Sequence, residues 1–132
     1  MTIDTFLYDL AQDLQDHNFG TWGSDIFLEG LDETSPKGIT LTPYTGPNPR
    51  DVKSGEDNPH NPLLNVFIRD TDLKTCRKTA FDIYKHWRLL VGVTFGDTYF
   101  ESIMARGTPQ FAGLSKMLFP EYSVNFSLKI RS

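Results

Sequence analysis

Towards the end of the chain, apolar and polar residues alternate with a period of two. Val124, Phe126, Leu128 and Ile130 fall on one face, and Ser123, Asn125, Ser127 and Lys129 on the other. Such alternation marks a half-buried strand whose polar face is left to water or to a neighbour. The same period recurs in Leu63–Asp70 (LLNVFIRD), where Leu64, Val66 and Ile68 alternate with Asn65, Phe67 and Arg69. Tyr99–Ala105 is predicted as the penultimate strand, preceded by an extended segment from Arg88 to Phe95 and a turn at Gly96 and Asp97. Between Tyr99–Ala105 and the last strand lies an irregular connection rich in Gly, Pro and aromatic residues.

Two stretches have the helical period instead. Ile3, Phe6, Leu7, Leu10 and Leu14 recur at steps of three and four, with Asp4, Asp9, Asp13 and Asp16 on the remaining surface. This amphipathic helix is expected to end between His17 and Gly20, where Asn18 and Gly20 accept left-handed backbone. A second helix follows Asp70 or Thr71 as cap. Its inward stripe is Leu73, Cys76, Ala80, Ile83, Tyr84 and Trp87, and Lys74, Arg77, Lys78, Lys85 and Arg88 lie mostly outward. Asp25–Leu31 and Gly38–Tyr44 are short strands joined by the polar turn DETSPK, for which a hairpin is the simplest account.

From Thr45 to Pro62 the pattern stops: TGPNPRDVKSGEDNPHNP is rich in Pro and Gly and has no period. Loops of this length are uncommon inside compact domains and are usually functional or disordered. The elements therefore predict an α+β fold in one domain, residues 1–132. A mostly antiparallel sheet carries a central helix and an N-terminal helix, with a long loop between strands.

Composition narrows the function classes. Thirteen basic against seventeen acidic residues give a net charge of -4, which argues against a general nucleic-acid binder. No apolar run approaches the ~20 residues that cross a bilayer. The single Cys76 has no internal disulfide partner. The start MTIDTFLYDL lacks the basic residues and apolar run of a secretory signal, so synthesis in a reducing cytoplasm is expected. Asn125 opens an N-x-S triplet, but inside a strand of a chain without a secretion signal it is no glycosylation site.

No convincing catalytic set emerges. His17, His60 and His86 have no paired ligand spacing, so no metal or cofactor is expected. His60 stands beside Glu56 and Asp57, which a ligand-binding or enzymatic reading would use. Cys76 on the helix stripe reads as a small buried hydrophobe. No Ser sits in a GxSxG context, and no Gly-rich phosphate cradle follows a strand. In the connection Pro109–Tyr122, Phe111, Phe119 and Tyr122 with Leu114, Met117 and Leu118 either close one end of the core or present a patch to a neighbouring subunit.

In order along the chain, GITLTPYTGPNP, LLNVFIRD, TDLKTCRKTAFDIYKHW, ESIMARGTPQFAGL and FPEYSVNFSLKI resemble segments of a family of small tailed-bacteriophage proteins. These are the minor capsid or tail terminator (tail completion) proteins. The resemblance runs from about Ile26 to Ile130, and YSVNF with Pro109–Gly113 carries most of it. The chain departs from the pattern after Gly113, where LSKMLFPE replaces a shorter charged turn, and in the extended loop Arg50–Asn61.

The resemblance implies a virion structural protein and no enzyme, made in the host cytoplasm and built into the tail or neck. It implies a homo-oligomer, commonly a hexameric ring, that caps the tail tube protein and joins it to a head-side neck or connector protein. DNA would pass through the channel without specific binding, aided if acidic side chains such as those of the first helix face it. Candidate contact residues are Pro47, Arg50, Asp51 and Lys53 in the loop and Phe111, Leu114, Phe119 and Tyr122 in the connection. Two alternatives remain: a head completion or other neck protein, and a small α+β ligand-binding protein or enzyme.

Overall fold

A computed structural model of the protein describes residues 5–21, 23–28, 30–32, 34–44 and 61–131. Ile3, Asp4 and the loop residues Pro47, Arg50, Asp51, Lys53, Glu56, Asp57 and His60 lie outside them. The elements are α1 (Thr5–Asp16), β1 (Ile26–Leu28), β2 (Gly38–Tyr44), β3 (Leu63–Arg69), α2 (Leu73–Trp87), β4 (Leu89–Phe95), β5 (Thr98–Ala105), β6 (Gln110–Leu114) and β7 (Pro120–Arg131). The fold is α+β: two helices on a mostly antiparallel seven-stranded sheet of order β1-β2-β3-β7-β5-β4, with β6 also on β7.

The alternation in the last strand is borne out. Val124, Phe126, Leu128 and Ile130 are buried beneath the helices, whereas Ser123, Asn125 and Ser127 stand on the opposite, open face. β7 is the centre of the sheet, pairing with β3 along its first half and with β5 along its second. α2 lies over β7, β3 and β5, while α1 touches β1 near one edge and β4 and β5 near the other. A sheet whose two edges both reach one helix must curl around it, and the bulge between Phe100 and Ser102 adds to that bend.

Phe6, Leu7, Leu10, Ala11 and Leu14 of α1 meet Cys76, Ala80, Ile83 and Trp87 of α2 in the common core. Asn18 takes the left-handed backbone expected at the end of α1, with φ of 64°. The cap of α2 is Asp72, one or two residues beyond the expected positions, because its carboxylate reaches both the N–H (2.9 Å) and hydroxyl (2.8 Å) of Thr75. These bonds hold the Asp72 carboxyl below the usual carboxylate range. Leu73, placed on the inward stripe by its spacing, is exposed, since it is the first residue of α2 and the buried stripe begins only at Cys76.

Three further expectations are corrected. First, β1 and β2 do not form a hairpin: they pair in parallel, Ile26 opposite Ile39 and Leu28 opposite Leu41. The chain between them folds into a turn, Ser35 N–H donating to the Asp32 carbonyl at 3.0 Å, and re-enters level with Asp25, whose carbonyl accepts from Ile39 N–H at 2.7 Å. The buried Arg69 holds that turn by donating to the Asp32 (2.8 Å) and Ser35 (3.1 Å) carbonyls.

Second, Tyr99–Ala105 is not the penultimate strand, since the connection contains β6, which forms a hairpin with the start of β7. Third, the acidic residues of α1 do not make one solvent face. Asp13 is buried, and Asp9 accepts from the hydroxyl of Thr98 at the β4–β5 turn. That turn needs Gly96, with φ of 59°, because a side chain there would run into the Asp9 carboxylate.

Candidate functional site

Three surfaces stand out. The first is the arm formed by β6 and the start of β7. Its tip, Ser115–Phe119, closes with Ser115 N–H on the Phe119 carbonyl (2.8 Å), Leu118 N–H on the Ser115 carbonyl (2.8 Å) and Phe119 N–H on the Ser115 hydroxyl (3.0 Å). Phe111, Leu114, Met117 and Leu118 are exposed along it. Of the four candidate contact residues placed here by sequence, Phe111 and Leu114 are on the surface and Phe119 is half-buried. Tyr122 is only 8% exposed and belongs to the core, where it meets the Phe111 ring edge-on at 5.6 Å.

Leu118 is the unusual residue of the arm. It is 72% exposed and has a left-handed backbone, φ of 65°. A leucine in that region costs about 1–2 kcal/mol that Gly or Asn avoids, and its side chain gains almost no burial in return. Strain of this kind persists only where the surrounding structure holds it, here the hydrogen bonds of Ser115 to Leu118 and Phe119, and it clusters at functional positions.

The second surface is the β4 edge. β4 ends the strand order, and Leu89, Val91 and Met104 of its open side are exposed, Leu89 lying directly opposite Met104 on β5. An exposed apolar edge strand is a template for pairing with another chain. Sequence gave no signal for this patch, because LLVGVTF looks the same whether its outer edge is paired or free.

The open face between these surfaces is polar at its centre. Asn65 donates to the Ser123 hydroxyl (2.6 Å) and the Asn125 side-chain carbonyl (2.9 Å). Towards β1, Gly30, Leu31, Thr40, Thr42, Asn65, Phe67 and Arg69 line an open depression. The buried Thr40 hydroxyl there has no hydrogen-bond partner among the described residues.

The third feature joins the C-terminal ends of the two helices. Asp13 Oδ2 accepts from the Trp87 indole Nε1–H and from His86 Nε2–H, both at 2.8 Å. His17, one turn beyond Asp13, has Nδ1 at 2.8 Å from the Asp13 carbonyl and 3.3 Å from Asp13 Oδ1. The His17 and His86 rings lie 4.2 Å apart between centroids, and Phe19 flanks His86 at 5.7 Å. Sequence spacing kept these histidines separate. The one available signal was Asp13 and His17, four apart and hence on one helix face.

Cys76 is buried, and its single S–H is shared between the Ile68 and Pro120 carbonyls, each 3.4 Å from the sulfur. Burial, followed by the nearby Asp70 carboxylate, pushes the thiol pKa up to about 11. At pH 8 this leaves roughly 100-fold less thiolate than an ordinary cysteine. Alkylation of the folded protein is therefore expected to proceed only through opening, which timed mass spectrometry with and without urea would show. The sign for stability follows: between about pH 9 and 11 the unfolded chain loses the thiol proton while the folded one keeps it. Stability attributable to Cys76 thus falls as pH rises through that window, and Cys76→Ala should flatten the decline in urea midpoints.

Among the described residues, no helix is long and apolar enough to cross a membrane. No protein-family model matches the chain, and no curated protein matches it significantly.

Proposed function

We propose that this protein is an assembly subunit of a tailed-phage particle, a tail terminator that forms a homo-oligomeric ring, of hexameric type, between the tail tube and the head-side neck. The observation that carries the assembly reading is the β6–β7 arm, which keeps a strained, exposed Leu118 beside Met117, Phe111 and Leu114. The phage placement rests on the sequence resemblance, with which an α+β subunit built on a central YSVNF strand is consistent.

The two apolar surfaces suit a ring because they face opposite ways. Phe111 packs on Tyr122, on the helix side of the sheet, whereas Met104 lies opposite Ser127, on the open side. A cyclic assembly joins one face of a subunit to a different face of the next, so the arm of one copy meets the β4 edge of its neighbour. The polar open face and the exposed cations of α2 are left for other partners or water. Asp9 and Asp13 are engaged within the subunit, so a channel lined by acidic groups would have to draw them from elsewhere.

The test is the mass and projection image of purified protein, alone and with isolated tail tubes. The expected result is a closed ring, or ring formation on tube ends. Leu118→Asn relieves the backbone strain and should stabilise the monomer by about 1 kcal/mol in urea denaturation. The same substitution should weaken ring formation, as should Val91→Lys on the opposite surface. A monomer that never assembles on tubes, or that is absent from intact virions, would overturn the proposal.

A further inference from the structure

We propose that Asp13, His17 and His86 form a binding site for a borderline divalent transition-metal ion of the zinc class. One carboxylate oxygen and one ring nitrogen from each histidine lie within 4.8 Å of one another. In a tetrahedral site with metal–ligand distances of ~2.0–2.1 Å, donors stand roughly 3.3 Å apart. The carboxylate meets the two rings through different oxygens, Oδ2 at 2.8 Å from His86 Nε2 and Oδ1 at 3.3 Å from His17 Nδ1, distances at or a little inside that value. To complete a coordination shell His17 Nδ1 releases the Asp13 carbonyl and its proton moves to Nε2, a change that the exposed ring allows.

The donors are of the right kind. Two neutral imidazoles and one carboxylate suit zinc, cobalt or nickel, and are a poor set for calcium or magnesium, which take oxygen ligands. The carboxylate is already oriented from behind, because the fully buried Trp87 holds Asp13 Oδ2 through its indole N–H. A donor of this type behind a ligand fixes its direction and is a regular part of metal sites. On metal entry His86 Nε2 gives up the hydrogen bond to Asp13 and offers its lone pair, while the neutral ring carries its proton on Nδ1.

Electrostatics point the same way. His17 follows the last residue of α1 and His86 is the penultimate residue of α2, so two helix C-termini converge on the cluster. The aligned peptide dipoles of the two helices place partial negative charge beside a cation. Asp13 is buried while His17 is exposed, which leaves one side open to solvent for entry and for a water or partner group as fourth ligand. The site couples the two helices at their ends, so an ion bound there would fasten α1 to α2.

The experiment uses the full chain, zinc chloride by titration calorimetry and Co2+ by visible absorption. The expected result is saturable one-to-one binding in the low-micromolar range or tighter, intense tetrahedral Co2+ bands, and a rise in melting temperature with zinc. His17 is exposed, so His17→Ala and His17→Gln should fold normally, as circular dichroism will show. Both should bind at least about tenfold more weakly and lose the thermal shift. His60→Ala should bind like the parent. No saturable binding by the parent protein, or His17 variants that bind as tightly as it does, would show a hydrogen-bonded clamp only and overturn the proposal. The readout is metal binding by the isolated chain, so its outcome is independent of ring assembly.

Discussion

Trp87→Ala is expected to destabilise the fold by about 3–5 kcal/mol from the lost side chain alone, the range for removing a large buried aromatic. Trp87 has no exposed surface, and its ring meets Phe126 of β7 edge-on at 5.7 Å, so it fills the seam between the end of α2 and the central strand. The substitution has a second cost. Asp13 Oδ2 loses the indole donor, leaving a buried carboxylate with His86 and a more distant His17 as partners. A missing bond to a buried charged group adds roughly 1–3 kcal/mol. Trp87→Phe weighs the two effects against each other, since it keeps one aromatic ring in the seam while removing the N–H together with the rest of the indole's second ring. Urea denaturation should place Trp87→Phe well between the parent and Trp87→Ala. If the Phe variant matched the parent, the indole–carboxylate bond would carry no net stability.

Much of the framework was legible because the alternation along β3 and β7 and the stripe of α2 follow directly from burial on one face. Leu64, Val66 and Ile68, like Val124 to Ile130, are buried as their spacing requires. The failures share a cause: each depends on a partner far away in sequence. Gln110–Leu114 shows no alternation because its side chains are exposed on both sides, so only its pairing with β7 makes it a strand. The direction of β1 is set by the turn after it, and that turn is pinned by Arg69 from β3.

The same reasoning explains the site residues. Asp13 counts as polar in any helical pattern, and nothing local announces a tryptophan and a histidine from the end of another helix. The arm was half visible: its apolar content was plain in sequence, but which residues turn outward was not. Tyr122 and Phe111 are equally aromatic and stand opposite each other on the same side of the β6–β7 pair, and only the place of β7 inside the sheet and of β6 outside the main strand order buries one and leaves the other exposed.

Arg69→Met is expected to cost about 3–5 kcal/mol, the range for removing one member of a buried ion pair. Arg69 is 7% exposed and its guanidinium meets Glu121 on the neighbouring β7 through Nε at 2.9 Å and Nη2 at 2.8 Å, both on Oε2. The methionine preserves apolar bulk but leaves the poorly hydrated Glu121 carboxylate without its partner. Arg69→Met combined with Glu121→Leu removes both charges and should recover most of the loss, giving a coupling energy of roughly 2 kcal/mol or more in a double-mutant cycle. The recovery should be incomplete in one region. Nη1 also holds the Asp32 and Ser35 carbonyls, so both variants release the turn that sets β1 parallel to β2. Hydrogen exchange at the Ile39 amide, which bonds the Asp25 carbonyl, should therefore accelerate in the single and the double variant alike, while amides of β3 and β7 regain protection only in the double. Unchanged exchange at Ile39 would mean that the parallel pairing of β1 is held by its own apolar residues and not by the arginine.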